Sequence, residues 1–165
     1  MKAGRYHVRA VETGRFRLDG GAMFGTVPRA LWEKTNPPDG RNRIDLALRS
    51  LLAEDGERRI LVDAGIGRST FEPKETEIYA VEDRPTDLDP ASVTDVVLTH
   101  LHFDHAGGIV TGDGLTFPKA RHWLQKRNWE NARKPNDREK ASYLRKTWQV
   151  LEDSGSFNWW TARIP

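Results

Sequence analysis

The sequence predicts one α/β (α+β) domain, and three observations support that prediction. Short apolar runs of strand length, such as residues 60–64 and 93–98, end abruptly in polar or glycine residues. Residues 128–152 instead carry apolar side chains at helical spacing. A chain of 165 residues with 37% hydrophobic content is also long enough to bury one hydrophobic core.

Strands are expected where a segment is rich in apolar or alternating residues and is bounded by turn residues. In chain order they are residues 5–19, 44–52, 59–63, 94–99, 115–117 and 121–125. The second and third should form a hairpin around the turn at residues 54–57. Residues 23–32 are expected to form a loop, and residues 89–92 a short helix or turn.

The C-terminal region predicts a helix over residues 128–152 that is interrupted near Pro135. Its apolar stripe consists of Tyr143, Leu144, Trp148 and Leu151. Residues 119–165 hold 11 basic and five acidic side chains, a net charge of +6, whereas residues 1–118 carry −4. Because acidic residues are interleaved with the basic ones, a solvated helix face is favoured over a nucleic-acid contact.

The composition predicts a protein without a membrane contact. No apolar stretch approaches the roughly twenty residues of a membrane span, and the segment that follows Met1 lacks the apolar core of a signal peptide. The chain contains no cysteine, which fits a reducing compartment. A cytoplasmic location is therefore expected.

The most informative segment directly follows the fourth expected strand, where His100, His102, Asp104 and His105 lie within six residues. Imidazole nitrogen and carboxylate oxygen suit zinc and similar divalent ions, and no thiolate is available instead. His100 and His102 lie two residues apart, so at an extended strand end both side chains point the same way and can share one metal ion. Asp104 and His105 follow on a turn that can direct them toward a second ion.

Two neighbouring metal ions at this segment would supply hydrolytic chemistry. Cations held about 3.5 to 4 Å apart lower the pKa of a bridging water toward neutrality and polarise a substrate oxygen. The expected product is a hydroxide nucleophile at neutral pH. The remaining histidines, His7 and His122, lack such neighbours and are expected to be ordinary, partly exposed side chains.

The sequence THLHFDHAGG at residues 99–108, preceded by ILVDAG at residues 60–65, resembles the motifs of the metallo-β-lactamase superfamily. The resemblance implies an αββα sandwich. Residues 1–165 would be the N-terminal part of that single domain, about its first half, and the C-terminal half with the remaining metal ligands would lie outside this chain. A missing segment, a second chain or a homo-oligomer would then cover the open sheet face and the apolar patch of Phe157, Trp159 and Trp160.

The same resemblance implies roles for individual residues. His100 and His102 would bind the first metal ion, and Asp104 and His105 the second. Asp63 would lie behind the metal ions as a supporting group, although a strand-end carboxylate that caps the turn at Gly65 explains it nearly as well. The expected cofactor is two zinc ions per complete domain, with manganese, iron or cobalt as alternatives.

Within the superfamily, residues 102–106 and the long loop at residues 19–25 look most like the lactonase and organophosphate-hydrolase branch. The implied activity is hydrolysis of a lactone, carboxylic ester or phosphotriester by a metal-bridging hydroxide, with Asp104 passing a proton to the leaving group. Apolar side chains that could line a pocket for an acyl chain or aryl leaving group are Met23, Phe24, Phe71 and Phe103. Simple core packing is an equally good explanation for such residues.

Two alternatives stay open. Glyoxalase II-like thioester hydrolysis uses an overlapping motif. The chain could also be an inactive fragment or module that keeps the motif but binds metal weakly, because two protein ligands per ion are fewer than the three typical of catalytic zinc. The nuclease branch usually has glycine at the position of Phe103, and a true β-lactamase would be exported, so neither is favoured.

Overall fold

Within the described residues 1–67, 69 and 71–160, the computed structural model shows a mixed β-sheet of eight strands and a separate two-stranded hairpin. The strands in chain order are β1 (Lys2–Ala3), β2 (Tyr6–Asp19), β3 (Arg43–Glu54), β4 (Arg59–Val62), β5 (Glu82–Asp83), β6 (Asp95–Leu98), β7 (Val110–Thr111), β8 (Gly114–Leu115), β9 (Arg121–Gln125) and β10 (Phe157–Trp160). The sheet order is β1-β2-β3-β4-β6-β9-β10, with β5 paired to β2 and the hairpin formed by β7 and β8.

Short helices connect and cover these strands. They are α1 (Gly20–Phe24), α2 (Arg29–Trp32), α3 (Pro73–Tyr79), α4 (Phe103–Ala106), α5 (Lys126–Arg133) and α6 (Arg145–Ser154). Single 3₁₀ turns lie at residues 90–92, 107–109 and 140–142. Local sequence explains several ends: Glu72 and Glu75 form a capping box at the start of α3, and Gly155 ends α6 in the left-handed conformation.

The sheet changes direction at β4. The pairs β1–β2, β2–β3 and β3–β4 are antiparallel. The pairs β4–β6, β6–β9 and β9–β10 are parallel. Val62 lies beside Val97, and Leu98 lies beside Leu124. The carboxyl ends of β4 and β6 therefore meet at one edge of the sheet, which is where α/β folds hold their ligands.

Alternating side chains on one face of the sheet build the main core. Leu52, Leu61, Val96 and Leu124 are essentially inaccessible to solvent, and Leu151 of α6 packs in the same cluster. Burying each of these aliphatic side chains contributes about 1.5 to 3 kcal/mol of transfer free energy. The sequence pattern of strands with one apolar face is thus explained by a helical layer on that face.

Most of the expected strands are confirmed, including the hairpin of β3 and β4 and the buried strand β6. The strand expected at residues 115–117 is shorter than predicted, because β8 ends at Leu115. The loop expected at residues 23–32 was wrong. It contains the end of α1 and all of α2, and the Asp19 carboxylate caps α1 by accepting a hydrogen bond from the backbone N–H of Ala22 at 2.8 Å.

The interruption predicted near Pro135 in the C-terminal helical region is confirmed, but the second helix begins later than expected. Helix α5 ends at Arg133 and α6 begins at Arg145, so Tyr143 and Leu144 precede the helix whose stripe they were expected to join. His122 is fully buried rather than partly exposed, because β9 lies inside the sheet between β6 and β10. A single histidine in a strand of alternating residues does not indicate which face of the sheet is buried, so the sequence could not predict the burial of His122.

The edge strand β10 leaves aromatic surface open. Trp159 and Trp160 are 39% and 38% exposed, whereas Phe157 stacks on Trp129 with ring centroids 5.2 Å apart. Successive residues of a strand face opposite sides of a sheet, so the aromatic patch expected from the sequence is divided: Trp159 contacts Trp129, whereas Trp160 lies near Trp123 on the other face. Every described helix falls short of the length and apolar character that a membrane crossing requires.

Candidate metal centre

The histidine segment forms a tight turn between β6 and α4. After β6 ends at Leu98, the chain bends at Thr99 and continues to His102, whose carbonyl oxygen accepts hydrogen bonds from the N–H groups of His105 at 3.0 Å and Ala106 at 2.9 Å. This turn gathers the imidazoles. The ring of His100 lies 4.5 Å from that of His102 and 4.0 Å from that of His105, measured between centroids.

Asp63 joins the end of β4 to this turn. Its carboxylate accepts hydrogen bonds from the N–H of Thr99 at 2.8 Å, the hydroxyl of Thr99 at 2.9 Å and Nδ1 of His105 at 2.8 Å. The residue adopts a left-handed backbone with φ of 57°, which is costly for a side chain other than glycine. The surrounding contacts, including the bond from its N–H to the carbonyl of Val97 at 2.9 Å, hold it there.

These hydrogen bonds fix how the rings of His100 and His105 face the site. The Thr99 hydroxyl has one hydrogen, which it donates to Asp63. The 3.0 Å contact between that hydroxyl and Nδ1 of His100 is therefore assigned as a hydrogen bond in which Nδ1 is the donor. Nδ1 of His105 likewise donates to Asp63, so Nε2 of each ring is the atom free to present a lone pair. Nε2 of His105 lies 3.5 Å from the Asp104 carboxylate.

Burial sets the charge of the cluster. Burial, together with the neighbouring imidazoles of His105 and His102, lowers the pKa of His100 to about 4, so His100 is neutral at pH 7. The hydrogen bond to Asp63 raises the pKa of His105 despite its burial. Burial alone would raise the pKa of Asp63, but the bonds from His105 and Thr99 outweigh it and lower that pKa. Asp63 is therefore the fixed negative charge of the site.

His102 provides the clearest sign that a ligand belongs here. Its Nε2 atom is buried, and no described residue offers it a hydrogen bond. Burial also lowers the pKa of His102, which keeps the ring neutral. A buried nitrogen without a partner costs free energy, and a divalent cation is the ligand that neutral imidazole nitrogen and carboxylate oxygen suit.

The described side chains nevertheless do not form a complete cage. Among them, no group of three or more His, Asp or Glu side chains is arranged so that it could hold one metal ion. Catalytic zinc usually takes three protein ligands. The donor chemistry therefore fits a metal ion, whereas the number of gathered ligands among the described residues falls below the three typical of catalytic zinc.

Two residues that the sequence did not connect with the site, Tyr143 and Asn128, contact the histidine segment. The ring of Tyr143 contacts that of His102 with centroids 4.7 Å apart. The Asn128 side chain accepts a hydrogen bond from the N–H of Leu101 at 3.0 Å. Both residues lie far downstream of the histidine segment, so no local spacing indicates their role.

The glycines of the motif allow close backbone packing. The N–H of Gly108 donates to the carbonyl of Gly65 at 2.9 Å, and the N–H of Ala64 donates to the carbonyl of His105 at 2.7 Å. A Cβ atom at position 108 would overlap the carbonyl oxygen of Ala64. Glycine is thus required where the turn after α4 presses against the segment that follows Asp63.

Open space adjoins the cluster on its apolar side. A cavity of about 180 Å³ is lined by Asp63, Asp104 and His105 and by Met23. A larger cavity of about 760 Å³ is lined in part by Met23 and Phe103. Of the side chains expected to line an apolar pocket, these two do so.

The other two lie elsewhere. Phe24 stacks on Trp32 with ring centroids 5.1 Å apart, and Phe71 is buried with its ring 5.4 Å from that of Phe103. Phe71 belongs to an apolar cluster beneath Phe103 that also contains Phe16. The sequence could indicate apolar residues near the site, but not which of them face the cavity.

Known proteins resemble this chain in sequence and in structure. The sequence model of the metallo-beta-lactamase superfamily matches residues 47–161. N-acyl homoserine lactonase AttM of Azorhizobium caulinodans is 39% identical over 71 residues, which are 39% of this chain and 25% of that protein.

Solved structures extend the likeness over the whole chain. A probable metal-dependent hydrolase from Staphylococcus aureus superposes with a TM-score of 0.85 at 30% identity, covering 100% of this chain and 63% of that one. AidC, a dizinc quorum-quenching lactonase in complex with a product, superposes with a TM-score of 0.70 at 19% identity, covering 100% and 61%. This chain thus spans less than two thirds of the length of these relatives.

Proposed function

Because this chain belongs to the metallo-β-lactamase superfamily, we propose that the protein containing it is a metal-dependent hydrolase of an ester-like bond, with lactones as the first substrate class to test. The observation that carries the proposal is the packing of the His102 and His105 rings against His100, together with the buried, unpartnered Nε2 atom of His102. Carboxylic esters and phosphotriesters share the chemistry and remain within the proposal.

The chain's own residues would present donors and hold them in place. His100 and His102 would hold one zinc ion, and Asp104 and His105 a second, through imidazole Nε2 atoms and a carboxylate oxygen. Bound divalent ions supply Lewis-acid chemistry that makes water nucleophilic at neutral pH and polarises an ester oxygen. Asp63 would keep the His105 ring oriented through its 2.8 Å hydrogen bond.

Asp104 is the residue proposed to move a proton. Its carboxylate lines the 180 Å³ cavity and is partly exposed, so it can reach both the cluster and a bound substrate. The attacking water loses a proton and the alkoxide that leaves an ester or lactone must gain one, so a carboxylate positioned at the cavity can take up the first proton and deliver it to the alkoxide. Met23 and Phe103 would contact the acyl chain or aryl group of the substrate.

We also propose that residues 1–165 form the N-terminal part of a single domain. The unfilled ligand number at the cluster and the exposed Trp159 and Trp160 on edge strand β10 support this division. A further segment of the protein would then supply the remaining metal donors and cover that edge. A second chain, in a homo-oligomer or otherwise, is the alternative source.

The experiment uses the complete protein and a panel of substrates. An N-acyl homoserine lactone, a phosphotriester and the thioester S-lactoylglutathione are assayed before and after removal of metal with a chelator and after addition of zinc. We expect zinc-dependent lactone hydrolysis, reduced at least about a hundredfold in His102→Ala and unchanged in His7→Ala, whose histidine is exposed outside the cluster. Thioester turnover alone would instead support the glyoxalase II-like alternative.

The inactive-module alternative makes a different prediction for the same panel. It rests on the absence of a three-ligand group among the described side chains, which predicts weak zinc binding. Loss of every activity in zinc-saturated complete protein would overturn the hydrolase proposal and favour this alternative.

A further inference from the structure

A large cavity beside the histidine cluster is lined in part by apolar side chains. It measures about 760 Å³ and is lined by Phe103, Tyr79 and Ile78 together with Met23. Met23 also lines the smaller cavity that contains Asp104 and His105, and Phe103 directly precedes Asp104 in the chain. A molecule whose reacting group lies at the cluster can therefore extend its apolar part into this space.

Four arginines also line the same cavity, and we call them its basic rim. The described residues that line it include Arg17, Arg41, Arg43 and Arg138, against a single carboxylate, Asp19. The Asp19 carboxylate is already engaged, since it accepts hydrogen bonds from the N–H of Ala22 and, at 2.9 Å, from the side chain of Asn42. Arginine guanidinium groups present planar pairs of donors that match carboxylate and phosphate groups.

Two of the four arginines are occupied by the protein itself. Nε of Arg43 donates to Asp39 at 2.9 Å, and its Nη1 donates to the carbonyl of Glu77 at 3.2 Å. Nε of Arg17 donates to Asp45 at 2.7 Å. These two guanidinium groups are structural, because they tie β2 and β3 to the chain around residue 39 and the end of α3.

The other two are available. Arg41 lies 3.6 Å from the Glu77 carboxylate, and both side chains are largely exposed, at 64% and 75%. The guanidinium group of Arg138 forms no hydrogen bond or ion pair with any described residue. Within the described residues, the positive charges of Arg41 and Arg138 are therefore not neutralised by a buried carboxylate in direct contact.

We propose that this cavity selects substrates that carry an anionic group, a carboxylate or phosphate, at the far end of an apolar segment. The inference rests on the proposed function for the position of the reacting ester near Asp104 and His105. The apolar segment contacts Phe103 and Met23, and the anionic end contacts Arg41 and Arg138. The apolar side chains alone would favour a neutral substrate chain, whereas Arg41 and Arg138 add a preference for negative charge.

A matched pair of small esters tests this preference by binding rather than turnover. Monomethyl adipate and methyl hexanoate have the same length and the same ester, and they differ in ending with a carboxylate or a methyl group. Calorimetric titration into the complete, metal-free protein excludes any contribution from a carboxylate bound to metal. We expect monomethyl adipate to bind about fivefold more tightly, with the difference shrinking at high salt, because exposed ion pairs are modest and are screened.

Variants assign the preference to the rim. The double variant Arg41→Gln and Arg138→Gln should abolish the difference between the two esters while leaving the affinity for methyl hexanoate unchanged. The control Arg127→Gln removes the same kind of charge from an exposed position on α5 outside the cavity and should keep the difference. Equal binding of the two esters, or a difference that persists in the double variant, would overturn the inference.

The test separates this inference from the proposed function. Hydrolysis of both esters by the zinc-loaded protein is measured in parallel. A charge preference in binding, together with no hydrolysis of these esters or of any substrate in the panel by the zinc-loaded protein, would refute the hydrolase proposal and leave the anionic ligand class standing. Hydrolysis without a charge preference in binding would refute the anionic ligand class and leave the hydrolase proposal standing.

Discussion

At Asp63, one carboxylate connects strand β4 to the histidine turn through Thr99 and His105. We predict that Asp63→Asn, which keeps the shape and removes the charge, lowers zinc affinity about tenfold to a hundredfold, as loss of a group that orients a metal-bound histidine commonly does. The pKa of His105 should also fall, because its hydrogen bond to Asp63 is what raises it. Zinc competition with a chromophoric chelator and an NMR titration of His105 measure these changes.

Asp113→Asn is the matched control for that variant, since Asp113 is fully exposed and lines neither of the two cavities beside the cluster. It should leave both quantities unchanged. A zinc affinity in Asp63→Asn equal to that of the wild type would show that Asp63 only caps the turn at Gly65.

His122 gives a pH prediction at the same scale. Burial lowers its folded-state pKa below the unfolded value of about 6.5, and its Nε2 has no hydrogen-bond partner among the described residues. Protonation therefore favours the unfolded state: the stabilising effect of a neutral His122 is complete above pH of about 6.5 and is lost as pH falls below it. Urea unfolding at pH 7.5 and 5.5 should show a smaller decrease in His122→Gln than in the wild type.

The exposed His7 provides the comparison for this pH effect. His7→Gln should retain the full wild-type decrease in the free energy of unfolding between the two pH values. If His122→Gln also retains it, the acid sensitivity belongs to other groups.

At the scale of elements, the turn after α4 depends on Gly108. A Cβ atom there would overlap the Ala64 carbonyl, so Gly108→Ala must push α4 away from the end of β4. We predict a loss of about 2 kcal/mol in the free energy of unfolding, typical of overpacking. Gly40→Ala, where the added Cβ meets nothing within 4 Å, should cost much less in the same urea titration.

The elements also show what the sequence could and could not predict. The strand β6 and its histidine turn were predictable because an apolar run and the ligand types lie within one short segment. The break between α5 and α6 was predictable from Pro135, but the late start of α6 was not, since the spacing of Tyr143 and Leu144 fits a helix and Tyr143 packs against His102 before that helix begins. The helices α1 and α2 escaped prediction because they are too short to show a period.

At the scale of the whole molecule, the parallel half of the sheet creates the site. Because β4 and β6 run parallel, Asp63 and Thr99 emerge at one edge and can bond to each other. The same architecture leaves Trp159 and Trp160 exposed along β10. The superfamily assignment could be predicted from residues 99–108 alone, whereas the basic rim of the large cavity required the folded arrangement of segments distant in sequence.

Metal binding should stabilise the complete protein through the cluster. A ligand present at a thousandfold excess over its dissociation constant stabilises the folded state by about 4 kcal/mol. We predict that zinc raises the melting temperature of the wild type and of His7→Ala but not of the double variant His102→Ala and His105→Ala. Equal thermal shifts in all three proteins would place zinc binding outside the cluster.

The most direct test of the central claim is the zinc content of the complete protein, measured by elemental analysis beside His100→Ala, His102→Ala and His105→Ala. The account predicts about two zinc ions per complete domain in the wild type and a clear loss in each variant. A wild type that binds no metal under zinc-replete conditions, or variants with full zinc content, would contradict it.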